Sequence, residues 1–150
     1  MNERNEIHMV IRDVPADSCE ELVQKLHELI RPYPGSLDIS VTRPFLWLST
    51  KKGHFKLYYS KCRFVETDNR NLVFHYKDQL ISKSGKISSM LKKLPGRIFF
   101  RCNNSYIVNL DYVSSIVPEG DRYNIRLTTG EVIPLSRSRY HEIRDRLDRL

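Results

Sequence analysis

The sequence predicts an α+β protein in two parts: a short β-α-β unit over residues 1–44, then a mainly antiparallel β domain over residues 45–150. Three observations predict it. From Phe45 onward, hydrophobicity alternates with a period of two in short runs separated by turn residues. A helical period of 3.6 appears only in three stretches, one before Pro32, one before Pro95 and one at the C-terminus. Charge divides at Arg43-Pro44: residues 1–44 hold five basic against eight acidic side chains, a balance of −3, and residues 45–150 hold twenty against ten, a balance of +10.

Each element follows in order. Residues 7–14 (IHMVIRDV) read as a strand. Pro15-Ala16-Asp17-Ser18 is a helix-start signal, with Ser18 and Glu21 spaced as a capping box. The helix runs to about Arg31, with Leu22, Leu26, Leu29 and Ile30 on one apolar stripe, and Pro32 and Pro34 stop it. Residues 36–42 form a second strand, and Arg43-Pro44 marks the boundary. Residues 45–49 and 54–60 form a hairpin around Lys51-Lys52-Gly53. Residues 61–66 and 71–76 form another around Asp68-Asn69-Arg70, and residues 79–83 add a strand. From Ser84 a short helix carries Ile87, Met90, Leu91 and Leu94 on one face, ended by Pro95-Gly96. Residues 97–102, 105–110, 112–118, 122–128 and 131–136 supply the remaining strands, with Thr128-Thr129-Gly130 as a tight turn. The tail from Ser138 is a helix with Tyr140, Ile143, Leu147 and Leu150 on one side and Arg139, Arg144, Arg146 and Arg149 largely on the other.

Several classes are excluded at this stage. At 150 residues, 40% hydrophobic and 29% charged, the chain holds one core, or one core with a small appendage, and is neither fibrous nor disordered. The longest apolar run, residues 45–48, is far short of the roughly 18 residues a membrane span needs. The polar N-terminus lacks a signal-peptide pattern, so the expected location is cytoplasmic. Cys19, Cys62 and Cys102 are odd in number and show no CxxC spacing, which predicts reduced thiols and no structural zinc. His8, His27, His54, His75 and His141 are scattered, and no phosphate loop, nucleophile elbow or dinucleotide fingerprint appears. Glu131 with Glu142, or Asp145 with Asp148, fit solvated ion pairs better than catalytic dyads. No enzyme activity, cofactor, metal or small-molecule substrate is expected. The net charge of +7 favours a polyanionic partner, nucleic acid or an anionic membrane face.

Residues 99–110, FFRCNNSYIVNL, resemble the signature of the LytTR-type (LytR/AlgR) DNA-binding domain of bacterial transcription regulators. Phe64-Val65-Glu66, the stretch 88–101 (SSMLKKLPGRIFFR) and the stretch 130–137 (GEVIPLSR) resemble the family's flanking elements, in order, so the resemblance spans about residues 45–150. Two departures stand out. Asn103 and Asn104 occupy positions where His or Arg is common, and the loop from Asp68 to Asn71 is short. The resemblance implies an elongated, mainly antiparallel β fold that meets successive major grooves of duplex DNA with loops.

By position in the family pattern, Asn104 and Arg137 are the leading base readers, and Asn69, Arg70 and Asn71 form a third contact region. The chemistry agrees: an Asn amide pairs bidentately with adenine N6 and N7, and an Arg fork suits guanine O6 and N7. Ser105, Lys83, Lys86, Arg101, Asn103 and Arg139 are assigned to phosphate. Alternatives remain open. Asn104 could bond its own backbone in a turn, and Arg137 could pair with an acid. Asn109, inside an apolar run, reads as a buried amide satisfying local backbone groups. Phe55, Tyr59, Phe64, Phe74, Phe99 and Phe100 read as core positions, although exposed aromatics on basic strands would suit a module for RNA or single strands. A protein-interaction adaptor without duplex affinity is a third class. Cys102, two residues from Asn104, is either a redox-sensitive thiol or a small buried one.

Forty-four residues are too few for a receiver domain, so the chain is expected to be of the stand-alone class. For that class the resemblance suggests control by expression level or by a membrane-bound inhibitory partner, and a homodimer on DNA. The β-α-β unit then serves as a dimerisation or partner surface, or caps the main core.

Overall fold

A computed structural model describes residues 6–12, 19–32, 36–42 and 44–150. Two compact units result, Met1–Pro44 and Phe45–Leu150. In the first, β1 (Glu6–Arg12) and β2 (Ser36–Thr42) pair in parallel, from Glu6 opposite Ser36 to Arg12 opposite Thr42. Parallel pairing needs a crossover, which α1 (Cys19–Ile30) supplies. Leu22, Val23, Leu26 and Ile30 are half-buried on α1, and Glu21 pairs with Lys25 one turn on at 2.9 Å. Leu29, expected on the apolar stripe, is 69% exposed. At about 100° per residue it lies on the edge of an arc centred on Leu26, away from Ile30. The proposed capping residue Ser18, the strand end at 13–14, Pro34 and Arg43 lie outside the described residues.

The second unit begins with a hairpin of β3 (Phe45–Thr50) and β4 (Gly53–Tyr58). Gly53 has φ +135°, a conformation that L side chains rarely adopt, and this closes the turn after Lys51-Lys52. The predicted strand 54–60 stops at Tyr58 because Tyr59–Lys61 wind into a 3₁₀ turn. Then come β5 (Cys62–Asp68), β6 (Asn71–Tyr76), β7 (Gln79–Ser84) and α2 (Ile87–Lys93). The last of these starts three residues later than its periodicity suggests, since Ser84 ends β7 and Gly85 sits at φ +152°. The chain continues through β8 (Phe99–Arg101), β9 (Tyr106–Asn109), β10 (Val113–Glu119), β11 (Arg122–Leu127) and β12 (Val132–Leu135). A 3₁₀ turn at Arg137–Arg139 leads into α3 (Tyr140–Asp148). The class is α+β, as predicted, and every strand pair in this unit is antiparallel.

The five-stranded sheet, ordered β7-β6-β5-β9-β8, is the middle layer. Successive residues of its central strands face opposite ways. Val65, Phe99 and Ile107 therefore enter one core, with Leu48 and Leu57 of the hairpin and Ile87, Met90 and Leu94 of the α2 region. Their neighbours Phe64, Phe100 and Val108 enter a second core, with Ile125, Ile133 and Leu135 of a three-stranded sheet ordered β10-β11-β12 and Ile143 of α3. Strands apolar on both faces need cover on both, and truncating a buried Phe such as Phe74 would cost about 3–5 kcal/mol. Tyr59, Phe64, Phe74, Phe99 and Phe100 are buried as predicted, whereas Phe55 is 37% exposed. It stands opposite Leu48, two register pairs from the Lys51-Lys52 turn that closes the hairpin.

Asn109 is the one fully buried polar side chain among the described residues. Its Nδ2 donates to the carbonyls of Tyr59 and Cys62, both at 2.9 Å, and its Oδ1 accepts from the Asp111 N–H at 2.9 Å. Its burial and the Asp111 bond match the sequence reading, but its two carbonyl partners are distant rather than local: it fastens the Tyr59–Lys61 turn to the end of β9.

Candidate nucleic-acid interface

Antiparallel register gathers the loops. Asp68 pairs with Asn71, Asn71 with Ser84, Glu66 with Tyr106 and Arg101 with Ile107. The 68–71 turn, the 84–86 segment and the 102–105 turn therefore share one rim of the middle sheet. Backbone bonds tie them laterally: Gly85 N–H donates to the Arg70 carbonyl at 3.1 Å, and Thr67 N–H to the Ser105 carbonyl at 2.9 Å. The end of β12 joins the same rim, because Ser136 N–H donates to the Cys102 carbonyl at 2.9 Å and Asn103 Nδ2 to the Pro134 carbonyl at 2.6 Å. Arg137 follows directly.

The turn between β8 and β9 is braced from within. Asn103 Oδ1 accepts the Ser105 N–H at 2.7 Å, forming an Asx-type turn. Arg101 donates from Nε to the Asn103 carbonyl at 3.1 Å and from Nη2 to the Asn104 carbonyl at 3.3 Å. Both ends of the Asn103 amide and half of the Arg101 fork are thus engaged by the protein. This qualifies the reading of Asn103 and Arg101 as phosphate ligands, since their first task is to hold the turn. The side chain that the turn presents is Asn104, which is exposed and makes no hydrogen bond through its amide among the described residues. The alternative in which Asn104 folds back onto its own backbone is thus taken by its neighbour Asn103.

Asn69 closes the short 68–71 turn at φ 56°, a left-handed conformation that Asn tolerates well. Arg70 and Asn71 beside it are exposed, as are Lys86 and Arg137, and Arg137 forms no ion pair among the described residues. Arg139 and Ser105 are half-buried. Lys83 differs from the expectation of a free cation: its Nζ donates to the Ser49 carbonyl at 2.7 Å, clamping β7 to the hairpin. These loops and their flanks hold six cations, Arg70, Lys83, Lys86, Arg101, Arg137 and Arg139, against the one carboxylate of Asp68, so the rim accounts for +5 of the +10 carried by residues 45–150.

Cys102 lies at the root of the turn between β8 and β9 yet is wholly buried, its Sγ 3.6 Å from the Phe100 carbonyl. Burial pushes its thiol up to about 12, outweighing the backbone hydrogen bond to Val108 and the charge of Arg139. Cys62 is raised to about 12 by the same cause. A thiol held protonated is a poor nucleophile, and of the two readings of Cys102 the burial supports the small buried thiol. Five of the six aromatics considered as stacking platforms are core side chains and unavailable to bases. Two cations went unnoticed, Lys51 and Lys52 in the β3–β4 turn. The adjacent lysines were visible in the sequence, but their nearness to β7 depends on how the hairpin packs.

Fold and rim together define a mainly antiparallel β domain with a basic, loop-lined edge, the class to which β-sheet nucleic-acid-binding domains belong. The LytTr DNA-binding domain model matches residues 52–148, and the chain belongs to that family of DNA-binding regulators, whose type is non-enzymatic. Among curated proteins it is similar to the sensory transduction protein LytT of Enterococcus faecalis (strain ATCC 700802 / V583), 29% identical over 84 residues. That match covers 55% of this chain and 35% of the relative, so the chain spans about a third of the relative's length. A solved LytTr DNA-binding domain from Bacillus cereus shares the fold, with TM-score 0.61 and 22% identity over 71% of this chain and 98% of that one. DNA is the partner class these findings support. No described helix is long and apolar enough to cross a membrane.

Proposed function

We propose that the protein is a transcriptional regulator that recognises a specific duplex sequence by inserting its rim loops into the major groove. The observation that carries this reading is the unengaged, exposed amide of Asn104 on a turn held rigid by Asn103 and Arg101. A preorganised polar group with no internal partner gives up only its hydration, and no intramolecular hydrogen bond, when it meets a base edge. Asn104 and Arg137 read bases, with Asn69, Arg70 and Asn71 as the third contact. Lys86, Arg139 and Ser105 take phosphates, joined by Lys83, Arg101 and Asn103 through whatever donors their structural bonds leave free.

The regulator acts in the cytoplasm as a homodimer on paired sites, and a membrane-bound partner holds it inactive. The separate β-α-β unit, with Leu29 exposed on α1, supports a role in such contacts. Selection from a random duplex pool tests the central claim. Enrichment of one motif, bound more tightly than single strands at matched salt, is expected. An unenriched pool, or preference for single strands, rejects it.

A further inference from the structure

Beside the rim, the β3–β4 hairpin and β7 enclose an open groove of about 690 Å³. Lys51, Lys52 and Lys83 line it together with Ser49, and no carboxylate is among its described lining residues. Asn71 and Ser84 line it as well, and these two are the register pair at the edge of the reading rim. The groove and the rim are therefore continuous. Its walls are fixed in place. Lys83 Nζ joins the strands at the Ser49 carbonyl, 2.7 Å away. Thr50 Oγ1 accepts the Lys52 N–H at 3.1 Å and donates to the Gly53 carbonyl at 3.2 Å, so the turn bearing both lysines is internally tied.

We propose that this groove is a second DNA contact that takes the phosphate backbone flanking the bases read by the loops, through Lys51 and Lys52. The proposal rests on the reading of the rim as a duplex-binding surface and extends its footprint to one side. The chemistry is that of backbone positioning: compact ammonium groups meet phosphates as point charges, with no bidentate fork to select a base. A polyanion leaving the rim past Asn71 and Ser84 meets three ammonium groups and no repelling carboxylate. Lys83, bonded to Ser49, sets the floor, and the exposed Lys51 and Lys52 follow the strand.

The test uses the full chain and its Lys51→Ala/Lys52→Ala variant, with the selected site in the middle of a long duplex, and with the flanks shortened on either side in turn. Parent protein is expected to lose affinity when one particular flank is removed. The variant should bind the long duplex about as weakly as the parent binds the duplex lacking that flank, and be indifferent to its removal. Its log-log salt slope should fall by about 1.8, at about 0.9 per phosphate. A variant with the parent's slope and flank dependence overturns the groove, whatever the loops do. If selection yields no preferred motif but the variant still loses salt slope on arbitrary duplex, the base-reading proposal falls and the groove stands. Inorganic phosphate or a mononucleotide that binds the parent tightly enough to compete with duplex at equal concentration would reassign the groove to a small anion and overturn the proposal.

Discussion

Asn104→Ala is the most direct perturbation, because the structure separates what this side chain holds from what it presents. Its amide makes no hydrogen bond with the described residues, and the turn around it is held by Asn103 and Arg101. Truncation at an exposed site of this kind should change folding stability by no more than about 0.5 kcal/mol. The loss of a bidentate base pairing should cost about 1–3 kcal/mol on the preferred duplex, or about 5- to 140-fold in Kd. Non-specific duplex, which offers no matched base edge, should bind almost as before. Asn103→Ala makes the contrast. It removes the bonds to the Pro134 carbonyl and the Ser105 N–H, each worth about 1 kcal/mol, so Tm should fall by several degrees along with specific affinity. Fluorescence anisotropy on selected and scrambled duplexes at one salt concentration, paired with thermal melts, reads both effects. An Asn104→Ala protein that binds the selected duplex like the parent would refute the assignment of base reading to this turn.

Arg137→Lys keeps the charge and loses the fork, so it should weaken the preferred site nearly as much as Arg137→Ala, and parental affinity would make Arg137 a phosphate anchor. Asn109→Leu removes the donor to the Tyr59 and Cys62 carbonyls, the first of which keeps the Cys62 N–H, and the acceptor of the part-buried Asp111 N–H, so urea unfolding should show a loss of about 1–3 kcal/mol; a loss under about 0.5 kcal/mol would contradict the bonding described. Mild peroxide should leave duplex affinity unchanged, and a thiol reagent should label Cys62 and Cys102 only on unfolding; rapid labelling of Cys102 in the native protein would overturn its burial. Those two thiols also set a pH dependence. Their pKa rises from the ordinary 9.0 to about 12 on folding, so between these values the native state binds more protons than the unfolded chain. Stability is complete below about pH 9 and declines as pH rises toward 12, with Tyr59 and Tyr106, also raised by burial, adding in the same direction. A urea midpoint constant from pH 8 to pH 10.5 would count against it.

By itself the sequence determined the class of fold, the number and order of strands in the second unit and the family. Those features are local or periodic: alternation at period two and a contiguous signature at residues 99–110; that the central strands bury both faces, Phe64 into one core and Val65 into the other, came only from the structure. Asn109 was legible for the same reason, as a lone amide in an apolar run. Element ends were less so. Tyr59, Ser84 and Ser138 carry strand or helix signals that a 3₁₀ turn or a positive-φ glycine overrides.

Only tertiary structure decided what each polar side chain does. Asn103 and Asn104 are adjacent and chemically identical, yet one is spent on the Pro134 carbonyl and the other left free, because β12 passes on one side of the turn. Lys83 looks like any surface lysine until β3 brings the Ser49 carbonyl to it. Cys102 reads as either a redox-sensitive or a small buried thiol until the second core closes over it. In each case the deciding partner lies about thirty residues or more away along the chain, or in another layer. Hydrogen-bond satisfaction and burial are set by such long-range neighbours, and local pattern does not encode them.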